Sequence, residues 1–112
     1  MKTKADVAMY IAISIAHSGK SNTQIAKEAG FPNPNVLSMI KTGRTPVPMA
    51  RIPAMAKAMG TDPKILLDGC LEAYHPEIHR VISSLAPSML ISSGELAVIR
   101  MLRYAVHRGA IV

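Results

Sequence analysis

Apolar residues recur along the chain at three- and four-residue spacing in short runs, and glycine and proline separate the runs. Gly19, Gly30, Gly43 and Gly60 stand between runs, and Pro32, Pro34, Pro46, Pro48 and Pro53 crowd the middle of the chain. The spacing predicts a first helix over about 4–17, with Ala8, Ile11, Ile15 and Ala12 inward. A second starts near Asn22, capped by Ser21 or Asn22, and turns Ile25, Ala26 and Ala29 inward. Gly30 ends it, because the left-handed conformation needed there resists a side chain.

Asn33-Pro34 is an N-cap followed by proline in the first turn, so a third helix runs to about Lys41 with Leu37 and Ile40 facing the core. Thr42 to Pro48 is a loop stiffened by proline. A fourth helix buries Ile52, Met55, Ala56 and Met59. It starts at Pro48 or at Pro53, between which the pattern does not choose. Asp62-Pro63 repeats the cap-and-proline signal for a fifth helix burying Ile65, Leu66 and Cys70. Beyond His75-Pro76, the residues Ile78, Val81, Ile82 and Leu85 mark a short amphipathic helix over 77–86 that Pro87 stops. Ser92-Ser93-Gly94-Glu95 matches a capping box ahead of a last helix over about 93–108.

Composition agrees with an all-helical chain. Eight Met and only 4% aromatic residues suit helix-on-helix packing better than a sheet. Cys70 is the only cysteine, so no intrachain disulfide forms and a reducing, cytoplasmic setting is expected. Lys2 and Lys4 ahead of the apolar stretch 7–16 imitate a secretory signal. Asp6 and the poor cleavage site Ala16-His17-Ser18 argue against that reading, and the stretch is too short for a bilayer. Charge is concentrated. Within 19–57 six cations (Lys20, Lys27, Lys41, Arg44, Arg51 and Lys57) stand against Glu28 alone, a net +5 of the chain's +6. That segment is where a polyanion would be met.

Residues 22–42 contain the parts of a helix-turn-helix: Ala26 for close crossing, Gly30 for the turn, and Leu37 and Ile40 as anchors, with one face of the second helix left for a major groove. Three stretches carry a resemblance: Gln24-Ile25-Ala26-Lys27-Glu28-Ala29-Gly30, then Leu37 to Arg44, then Ile52 to Leu67. In this order and spacing, residues 20–67 resemble the lambda Cro and repressor family, the XRE-like helix-turn-helix proteins. The segment from Gly30 to Gly43 is one residue longer than is usual there, and Lys41 stands where the family often has an acid.

The resemblance implies a five-helix lambda-repressor-like DNA-binding domain over 1–70; the amphipathic pattern beyond it predicts a C-terminal helical dimerisation segment over 71–112. It implies a transcriptional regulator, a repressor in the simplest case, that binds double-stranded DNA as a homodimer. Carried over by position, Pro34, Asn35, Val36 and Met39 face outward on the recognition helix. Base reading is expected from Asn35, Val36, Ser38 and Met39, with the Asn35 amide suited to adenine. Phosphate contacts are expected from Asn22 and Thr23 at the start of the second helix, and from Lys41, Arg44 and Arg51.

The last helix has a narrow stripe of Arg100, Arg103 and His107 opposite a wide apolar side. Val98, Leu102, Ala105 and Val106 are its expected dimer contacts. The residues show no catalytic arrangement, no Gly-rich phosphate loop and no metal set. His75 and His79 are four apart, but Pro76 separates them. Neither an enzyme nor a cofactor, small-molecule substrate or membrane partner is expected. The competing reading is a protein-interaction module on the same fold, such as an antitoxin or a phage-encoded inhibitor.

Overall fold

The structure is a computed structural model that describes residues 3–86. Those residues are all-helical. The first helix, α1 (Lys4–Ser18), starts on a reciprocal capping box: Asp6 N donates to Thr3 Oγ1 and Thr3 N to Asp6 Oδ2, each at 3.1 Å. It buries Val7, Ala8, Ile11, Ser14 and Ile15, while Ala12 is only half-buried. The next, α2 (Asn22–Ala29), is capped by Ser21, whose Oγ accepts from Gln24 N at 3.1 Å. Ile25, Ala26 and Ala29 face inward as expected.

Gly30 ends α2 at φ 83°, and Phe31 N reaches back to Ala26 O at 2.8 Å. A Cβ at Gly30 would also meet the tip of the Arg51 side chain at 2.5 Å, which the flexible guanidinium can give way to, so the positive φ is what favours glycine there. The third helix, α3 (Asn35–Lys41), follows at once. Asn33 Oδ1 accepts from Asn35 N at 2.9 Å and Pro34 already has helical angles, so the sequence signal acts as expected.

The start of the fourth helix, which the sequence left open, divides into two pieces. A single 3-10 turn, Met49–Arg51, leads into α4 (Ile52–Met59), with Pro53 in the first turn. Val47, between Pro46 and Pro48, is buried in the core although it belongs to no helix. Asp62 caps α5 (Pro63–Tyr74) through Lys64 N at 2.8 Å. This helix continues past residue 70 and buries Leu71 as well as Leu66 and Cys70, whereas Ile65, expected inward, is only half-buried. Ile11, Ile25, Leu37, Ile40, Met55, Leu66 and Cys70 form the solvent-free centre contributed by α1–α5.

Pro76 forbids helical angles at His75, which sits at φ −137° and separates α5 from α6 (Pro76–Leu85). His79 Nε2 lies 2.9 Å from Asp68 Oδ1 and ties α6 to α5. No residue of α6 is buried, and the apolar ridge Ile78, Val81 and Leu85 lies open, Leu85 at 79% exposure. The helix expected over 93–108, with Val98, Leu102, Ala105 and Val106, lies outside the described residues. No described helix is long and apolar enough to cross a membrane.

Candidate nucleic-acid interface

The two faces of α3 have separate duties. Leu37 and Ile40 are sealed into the core, and a 100° step per residue then turns Asn35, Ser38 and Met39 outward. Met39 is 45% exposed, a long apolar side chain presented beside two polar ones. Val36 differs from the expectation. It lies on the Ile40 side of the helix, half-buried against the core, and Pro34 is half-buried as well. Thr42, not among the expected readers, completes the open face. Its Oγ1 lies 3.1 Å from both the Ser38 and Met39 carbonyls, which fixes the hydroxyl at the helix end.

Cations bracket this face. Lys41 is half-buried, and its Nζ reaches Asn22 Oδ1 at 3.5 Å, bringing the end of α3 to the start of α2. Arg44 is exposed directly after α3, held there by its own N–H to Met39 O at 3.0 Å. At the other end Arg51 lies over Gly30. With Thr23, Lys27 and Pro34 it lines an open depression of about 550 Å³ between α2 and the entry to α3. Lys27 was not among the expected contacts. Its signal in the sequence is its place one turn beyond Thr23 on α2, which puts both residues on one side.

Not every cation of the basic segment is available. Lys20 Nζ is held by Glu28 Oε1 and by the Ala58 carbonyl, each at 2.9 Å, so it fastens α2 to the end of α4. Glu28 is thereby occupied too, and residues 29–61 contain no acid. Lys27, Lys41, Arg44 and Arg51 therefore act on a surface without opposing carboxylates from that stretch. Such an arrangement attracts an anion and repels nothing anionic.

The remaining chemically capable groups stand elsewhere. Burial pushes the Cys70 thiol up from 9.0 to about 11, which keeps it protonated and unreactive. His75 stands at the α5–α6 break, and the His79 ring is paired with Asp68, so the two histidines do not converge. Comparison with protein-family models, curated proteins and solved structures gives no match for the chain.

Proposed function

We propose that this chain is a sequence-specific DNA-binding transcriptional regulator, a repressor, whose α3 reads the major groove. The observation that carries the proposal is the open face of Asn35, Ser38 and Met39, bracketed by Lys41, Arg44 and Arg51 with no acid in residues 29–61. On this reading α1–α5 form a lambda-repressor-like domain and the protein is cytoplasmic. Asn35 pairs with a base edge, Ser38 and Met39 flank it, and Val36 supports the helix from behind. Asn22, Thr23, Lys41, Arg44 and Arg51 hold phosphates. The rest of the chain from 71 onward joins two subunits, so that two α3 helices enter successive grooves.

Selection of bound fragments from a genomic duplex library, followed by footprinting, tests the proposal directly. Asn35→Ala is expected to cost about 1–3 kcal/mol on the selected site and to relax preference at one base pair per half-site. Arg44→Ala is expected to weaken all duplexes alike and reduce the salt slope by about 1. A reporter driven by the selected site should rise when the gene is removed. Failure to enrich any duplex, with no salt-dependent binding, would overturn the reading. In that case the open ridge Ile78, Val81 and Leu85 favours the second one, a protein-interaction module such as an antitoxin or a phage-encoded inhibitor.

A further inference from the structure

Helix α1 is apolar on both sides. Its inner side is the core face already described. Its outer side carries Ala5, Met9, Ile13 and Ala16, all exposed, with Ala12 half-buried at the edge. Met9 is 64% and Ile13 51% exposed. A helix that is hydrophobic all round belongs in an interior, not on a surface. The small alanines beside Met9 and Ile13 let another helix approach closely.

We propose that the outer face of α1 is the docking surface for residues 94–107 of the same chain. Three observations select that occupant. The first is where the chain continues. Lys4 Nζ stands 5.1 Å from the centre of the Tyr74 ring, so the end of α5, two residues before α6 starts, lies near the first turn of α1. The second is reach. The ten residues of α6 rise about 15 Å, and residues 86–92 can span up to about 24 Å, enough to turn back along α1.

The third is fit. Residues 94–107 of the helix that the sequence predicts would be about 21 Å long, against about 22 Å for the fifteen residues of α1. The same spacing groups Ala97, Met101 and Tyr104 on one side, apart from the Val98, Leu102 and Val106 side assigned to a dimer seam. A short tether gives its segment a millimolar effective concentration at its own α1, well above that of a second copy at micromolar protein.

The inference does not depend on DNA binding and is tested without it. Benzoylphenylalanine placed at position 9 or 13 of the full chain, both exposed positions, is irradiated and the captured peptide is mapped by mass spectrometry. Capture of 94–107 in a monomer-sized product is expected, and the same probe at Lys27 should capture none of it. A dimer-sized product would overturn the proposal in favour of a second copy, and no capture of 94–107 would overturn it outright. In the full chain Met9→Asp should also remove hydrogen-exchange protection from 94–107 and leave α2–α4 protected. Unchanged protection of 94–107 in that variant would count equally against the proposal.

Discussion

At the scale of single residues, Cys70 shows how packing sets chemistry. Its thiol loses solvent on folding, so protonation is favoured in the native chain to about pH 11, whereas the unfolded thiol titrates near 9. The native state therefore holds the proton longer, and stability falls as pH rises from 9 to 11. Tyr74, also pushed upward, by desolvation first and then by Cys70, adds in the same direction. A loss of about 1–2 kcal/mol across that window is expected in urea titrations. Cys70→Ala should start less stable and fall less steeply. At pH 8 a disulfide reagent should modify wild-type Cys70 only as fast as the chain opens. Inward residues at regular spacing, such as Ile11 or Leu37, were legible because periodicity alone assigns them. Val47 was not, since a loop residue between prolines has no period to betray it. The resemblance puts Val36 in the outward set, whereas its angle beside Ile40 leaves it half-buried against the core.

At the scale of elements, the caps made helix starts readable: Ser21, Asn33 and Asp62 each accept a backbone N–H at the start of their helices. Helix ends were less so: the boundary expected at residue 70 falls inside α5, which continues to Tyr74, where His75-Pro76 stops it. The short α3 depends strongly on its cap. Asn33→Ala should cost about 1 kcal/mol in denaturant titration. If α3 reads DNA, the same change should weaken every duplex, since it loosens the entry of the helix rather than one base contact. Asn33→Asp, which preserves the acceptor, should restore the stability. Equal stability of the alanine variant would mean that Pro34 alone sets the first turn. Of the candidate site, spacing gives only the helix that carries it. Asn35, Ser38, Met39 and Arg44 come with the resemblance, whereas the approach of Arg51 to Gly30 arises where the turn ahead of α4 meets the end of α2.

At the scale of the whole molecule, the open ridge of α6 is the described part of the proposed dimer seam. Val81 is 55% exposed within one protomer, so Val81→Asp buries no charge unless a second surface covers it. If the seam exists, that variant should sediment as a monomer, keep its melting transition for α1–α5, and lose most operator preference while retaining weak, salt-sensitive binding. A wild type that is already monomeric at micromolar concentration would remove the seam from the account. The division of α3 has a consequence of another kind. The side chains that hold the helix to the core and those that face outward are different residues, and Asn35, Ser38 and Met39 contribute nothing to the sealed centre. Combinatorial exchange at those three positions should leave folding free energy within about 0.5 kcal/mol per change. Partner preference and foldedness can thus drift separately: a lineage carrying this domain can acquire a new target by substitutions that its stability never registers.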